Sequence, residues 1–145
     1  RPKSRGTVTL ASRNPMDKPL IDPAFFKHPD DLETLVTATQ LGLRVMASAG
    51  LNAYRGEMLY SVDHNQPGQI RDFLKDHSDT EYHPVGTCKM GPVQDPLAVV
   101  DSELRVHGLS SLRVIDASVM PQLVTGNTNA PTFMIAEKAV ALMRG

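Results

Sequence analysis

Two short segments hold the side chains best suited to chemistry. In the first, Tyr82-His83-Pro84-Val85-Gly86-Thr87-Cys88-Lys89-Met90-Gly91, a histidine stands before a proline. Proline biases the residue before it towards extended backbone, and Gly86 allows a close backbone approach three residues later. An imidazole titrates near neutral pH, so His83 can take up or release a proton; read from the residues alone, it can equally be structural. His83 and Cys88 are two metal ligands with no third at a suitable spacing, so no metal site is expected. The second segment, Val124-Thr125-Gly126-Asn127-Thr128-Asn129-Ala130-Pro131-Thr132, is a polar turn that leads into an apolar run. A helix starting there exposes unpaired N–H groups and the positive end of its dipole, which suits an anion or a developing negative charge. An ordinary capped helix has the same residues.

Other catalytic templates fail. The chain has no Gly-x-Gly-x-x-Gly and no Gly-x-Ser-x-Gly, and Gly86 to Gly91 has Walker spacing but continues into Pro92-Val93. Neither a phosphate loop nor an acyl-transfer nucleophile is expected. Of the remaining histidines, His28 fits a cap before Pro29. His64 and His77 lie among polar neighbours, and His107 fits a turn.

Composition narrows the classes further. Fifteen Lys+Arg against sixteen Asp+Glu give a net charge of −1 over 145 residues, which excludes a general electrostatic grip on nucleic acid or anionic lipid. Three Tyr, four Phe and no Trp leave little for base stacking. No apolar run approaches the ~20 residues that span a bilayer. The basic start, Arg1-Pro2-Lys3-Ser4-Arg5, lacks the apolar stretch of a signal peptide, and no initiator Met is present. A single cysteine fits a reducing compartment. The expected location is the cytoplasm, at most peripheral to the inner membrane.

The elements that must position these segments can be read in outline. Alternation over residues 6–12 predicts a strand, and four prolines in 13–29 predict a loop. Pro29-Asp30-Asp31 opens a helix to about 49, with Gly50 as its stop. Pro67 opens a shorter helix that ends between Asp76 and Tyr82. Residues 98–101, 104–106 and 112–115 read as short strands. The last helix runs over about 130–144 with Asn129 as its N-cap. It is apolar on almost every side, and such a helix is buried on every side. It looks made for a larger body than this chain.

The segment 82–91 resembles the catalytic-histidine block of the glucose–methanol–choline (GMC) flavin oxidoreductases, nearest to the choline dehydrogenase-like branch. Ala98-Val99-Val100-Asp101 with Leu104-Arg105-Val106-His107-Gly108-Leu109, then Leu112-Arg113-Val114-Ile115-Asp116-Ala117-Ser118-Val119-Met120-Pro121, then Thr125–Thr132, are similar to the blocks that follow in that family. Residues 6–49 resemble it more loosely. The resemblance implies an α+β/α/β fragment. Residues 1–85 would be the tail of an antiparallel substrate domain, and 86–145 the last strands and closing helix of the FAD-binding domain. The dinucleotide fingerprint would lie in a missing N-terminal portion.

The implied function is that of an FAD-dependent alcohol dehydrogenase, which oxidises a primary alcohol, such as choline, to an aldehyde by hydride transfer to the flavin. His83 matches the family's proton-accepting histidine and Asn129 the second catalytic position. Asp116 and Ala117 match positions whose backbone meets the ribityl–pyrophosphate part of FAD. Ala130 and Thr132 match positions at the flavin ring. Glu81, two residues before His83, could favour a cationic substrate or simply face solvent. The alternative is a stand-alone binding module on the same scaffold, with the apolar last helix in a dimer interface.

Overall fold

A computed structural model describes residues 1–144; Gly145, the end of the second expected domain, lies outside the described residues. Thr7–Thr9 (β1) and Leu20–Asp22 (β2) form a two-stranded sheet. β1 is shorter than its alternation predicts, and β2 lies within the stretch read as loop. Three residues between Pro19 and Pro23 are too few for a period of two to register. Gly6 passes so close to Asp22 that a Cβ there would collide with the Asp22 carbonyl oxygen.

Contacts divide the chain into two compact units. One unit comprises Pro2–Thr7 and Leu20–Thr80. In it Pro29–Met46 forms α1 and Pro67–His77 forms α2. His28 caps α1, its Nδ1 accepting the Asp30 N–H at 3.3 Å. The helix ends earlier than the Gly50 stop predicts. The Ala47 N–H closes the last turn onto the Leu43 carbonyl at 2.9 Å, and Gly50 belongs to a separate 3₁₀ turn, Ala49–Leu51. Leu32, Val36 and Ile70 are the buried anchors of the two helices. Arg71 on α2 donates a two-pronged pair to Glu33 on α1, at 2.8 and 2.9 Å.

Asp31 ties the start of the chain to α1. Its carboxylate accepts the N–H groups of Lys3 (2.7 Å) and Ser4 (2.8 Å) and the Ser4 hydroxyl. Desolvation pushes its pKa upward, but these donors outweigh it and hold the pKa at about 2, below the ordinary 3.8. A depressed folded pKa contributes stability that is complete above the ordinary value and is lost as pH falls through the folded one. Asp31→Asn is therefore expected to be less stable than wild type at neutral pH. The gap should close between about pH 4 and pH 2 in urea titrations. A gap independent of pH across that window would contradict the assignment.

The other unit comprises Arg1, Val8–Pro19 and the chain from Glu81 onward. Its core is Val100, Leu104, Val119, Met120, Ile135 and Ala139. The three expected strands are reduced to isolated bridges: Met90 with Val100 in parallel, and Val100 with Val106 and Arg105 with Arg113 antiparallel. Between the first two expected strands, the Asp101 carboxylate holds a turn. It accepts the N–H groups of Glu103 (2.8 Å) and Arg105 (2.9 Å), and Leu104 between them turns left-handed at φ 65°. Side chain-to-backbone bonds of this kind compete with a ladder.

The last helix, α3, spans Asn129–Arg144. Asn129 is thus its first residue and not its cap. Ile135 and Ala139 are buried, whereas Phe133 and Met134 remain 66% and 61% exposed. This chain covers one stripe of the helix and leaves its other apolar sides open. No helix among the described residues is long and apolar enough to cross a membrane.

Candidate functional site

The expected site residues all fall in the unit that includes the chain from Glu81 onward. The His83 segment is laid down by its neighbours. Tyr82 is left-handed (φ 61°) and Pro84 follows His83, so the histidine sits between two conformational constraints. Gly86 has φ 88°, and a Cβ there would stand 3.3 Å from the Met120 carbonyl oxygen. Beyond it the segment runs along the 3₁₀ turn Ala117–Val119. Cys88 N–H donates to Ser118 carbonyl (3.0 Å) and Met90 N–H to Val119 carbonyl (2.8 Å). Lys89 reaches Asp95 at 2.6 Å, and that hydrogen bond holds the Asp95 carboxyl below the usual carboxylate range. These bonds bring the His83 segment against Asp116 and Ala117. Asp116 is exposed and caps the 3₁₀ turn through the Ser118 N–H at 2.7 Å; Ala117 begins that turn, half-buried.

The start of α3 is built differently from an ordinary cap. The Thr128 carbonyl accepts the first helical N–H, from Thr132 at 3.0 Å, and the Thr132 hydroxyl at 2.6 Å. Thr128 therefore occupies the cap position. A cap hydroxyl ordinarily accepts the N–H of the second or third helical residue, but the third residue here is Pro131, which has no N–H. The Thr128 hydroxyl lies instead 2.8 Å from His83 Nδ1. Thr128, Thr132, Ile135 and Ala139 follow at i, i+4, i+7 and i+11, so one stripe carries both the core contacts and this hydroxyl. Asn129 and Ala130 are exposed, and as the first helical residues their N–H groups have no partner within the helix.

His83 is half-buried and is joined to the N-terminal end of α3. Thr132 also belongs to this turn, with its hydroxyl committed to the Thr128 carbonyl. Glu81 is exposed. His107 is structural: its Nε2 donates to the Gly91 carbonyl at 3.0 Å. The residue that sequence reading missed is Thr128. A signal was available in Pro131, which withholds one of the two N–H groups that usually meet a cap hydroxyl.

This arrangement can accept a proton at a ring nitrogen beside open backbone donors that favour negative charge. A family model described as GMC oxidoreductase matches residues 2–136. The chain belongs to the GMC oxidoreductase family. Among GMC relatives, it is 44% identical over 140 residues to an oxygen-dependent choline dehydrogenase of Brucella anthropi, covering 96% of this chain and 26% of the relative. It is 43% identical over 143 residues to an alcohol dehydrogenase [acceptor] of Pseudomonas putida, covering 98% of this chain and 26% of that protein. The crystal structure of pyridoxine 4-oxidase from Mesorbium loti superposes with a TM-score of 0.90 at 35% identity, over 99% of this chain and 28% of the oxidase. The chain thus spans about a quarter of the length of the curated relatives it matches, and its fold is that of the corresponding part of a GMC oxidoreductase.

Proposed function

We propose that this chain is the histidine-bearing C-terminal portion of an FAD-dependent dehydrogenase that oxidises a primary alcohol, with choline among its candidate substrates, to an aldehyde. Residues 1–85 would complete a substrate domain and 86–145 an FAD-binding domain. The observation that carries the reading is the tie of His83 to the start of α3, 2.8 Å from the hydroxyl of Thr128, the residue that precedes Asn129. The names of the two GMC relatives, a choline dehydrogenase and an alcohol dehydrogenase, supply the substrate class.

The residues present fit FAD. Two helix-start N–H groups and the turn at exposed Asp116 and half-buried Ala117 are donors and backbone of the kind a flavin and its phosphates need. Asp116, Ala117, Ala130 and Thr132 would hold it. When bound, FAD supplies the acceptor for the hydride that leaves the alcohol's α-carbon. His83 takes the hydroxyl proton. Asn129 donates an amide N–H to the alcohol oxygen as negative charge grows there, and it cannot titrate. The positive end of α3 favours that charge.

The test is the full-length protein that carries this chain, or the chain co-expressed with its N-terminal portion. The expected product is yellow, and its flavin bands bleach anaerobically on addition of choline or a simple primary alcohol. A flavin-free protein, or a flavin that none of these alcohols bleaches, would overturn the reading.

A further inference from the structure

We infer that Thr128 is a positioning residue that keeps the proton of neutral His83 on Nδ1, so that Nε2 faces the substrate as an acceptor. The inference rests on the reading of His83 as the proton acceptor. Neutral imidazole has one N–H and one lone pair, and the bond made at one nitrogen decides which of them the other offers. At Nδ1 that bond goes to the Thr128 hydroxyl oxygen, 2.8 Å away. Three features make the hydroxyl a dedicated partner. Pro131 removes one of the two helical N–H groups that could claim it, the other being that of Ala130. Thr128 is only 9% exposed, which limits competition from water. Its carbonyl is gripped by both the N–H and the hydroxyl of Thr132, which fixes the backbone from which the side chain projects.

The polarity of the bond follows from the chemistry required. With Nδ1–H donating to the Thr128 oxygen, one proton passes from the alcohol oxygen to Nε2. The Nδ1–H bond is unchanged, and the ring need not turn between its two protonation states. With the hydroxyl donating to Nδ1, Nε2 would already carry hydrogen and could accept nothing. Neutral histidine free in water prefers hydrogen on Nε2, so the site holds the less common tautomer.

The experiment uses the flavin-loaded full-length protein with ¹⁵N-labelled histidine. The His83 signals are assigned by their loss in His83→Gln. Wild type is expected to show protonated Nδ1 and unprotonated Nε2. Thr128→Val keeps the side-chain shape without the hydroxyl and should move the proton to Nε2, and Thr128→Ser should restore it. Turnover should follow: kcat falls about tenfold or more in Thr128→Val, because a wrong tautomer disables a general base, while KM moves less than about threefold. Pro131→Ala supplies a second route should Thr128→Val fold poorly. It returns an N–H that competes for the hydroxyl and should shift the tautomer part of the way. Hydrogen on Nε2 in wild type, or a tautomer indifferent to both variants, would overturn the inference. Failure of the functional reading shows separately, as turnover that survives His83→Gln.

Discussion

His83→Ala is expected to slow flavin reduction by alcohol by about 10²–10⁴-fold, the range that a positioned general base contributes, with flavin content unchanged. The size of the loss follows from the titratable groups at hand. Asn129, one residue from the hydroxyl that His83 touches, is an amide and cannot take a proton. Glu81 is exposed, and Asp116 is committed to capping the 3₁₀ turn. Flavin content should hold because the ring's hydrogen bond is to Thr128, not to the open N–H groups of α3. Alanine also leaves the buried Thr128 hydroxyl without its partner, at a cost of about 1–3 kcal/mol. His83→Gln, which can still meet that hydroxyl, separates this loss of stability from the loss of the base. Anaerobic stopped-flow reduction measures the effect. A His83→Ala rate within a few fold of wild type would remove the role assigned to the histidine.

The largest effect on stability is expected at Ile135. It is 7% exposed in the cluster with Val100, Leu104, Val119, Met120 and Ala139. Isoleucine-to-alanine changes in such packing cost about 2–5 kcal/mol, through lost transfer energy and the cavity left behind. Ile135→Ala should therefore lower the denaturant midpoint of the unit from Glu81 onward without changing the slope of its transition. Ile135 lies two turns beyond Thr128 on the same helix stripe, so the substitution also loosens the seat of the hydroxyl that meets His83. The expected sign is a fall in kcat beyond what Thr128→Ser causes. Phe133 and Met134, on exposed faces of the same helix, bury too little in this chain to give a loss of that size. A midpoint shift at Ile135 no greater than theirs would show that α3 is not anchored by this stripe.

How far the sequence revealed these features depended on the range of the forces involved. The helices were legible because their signals are local. Pro29, the acids after it and the spacing of Leu32 and Val36 all lie within a few turns. The strands were not. Leu20–Asp22 is too short to show alternation, and residues 98–115 read as three strands because their β-branched content hides what Asp101 does to the backbone between them. At the start of α3, Asn129 fitted the cap by residue type, yet Thr128 takes it. The cap shows in the Thr132 N–H bond to the Thr128 carbonyl, while the Thr128 hydroxyl meets a histidine far away in the chain. His83 itself was visible through its neighbours and its family-like block, whereas its hydrogen-bond partner was not.

The same contrast in range bears on the order in which the molecule assembles. The carboxylate bonds of Asp95, Asp101 and Asp116 reach at most six residues along the chain, and contacts so short close on the timescale of local chain motion. The bond between His83 and Thr128 spans 45 positions. It must wait for α3 to dock and for the larger loss of chain entropy that closing such a loop entails. Turns and helices can all be in place while the imidazole still lacks its partner, so secondary structure alone does not report whether this bond has formed.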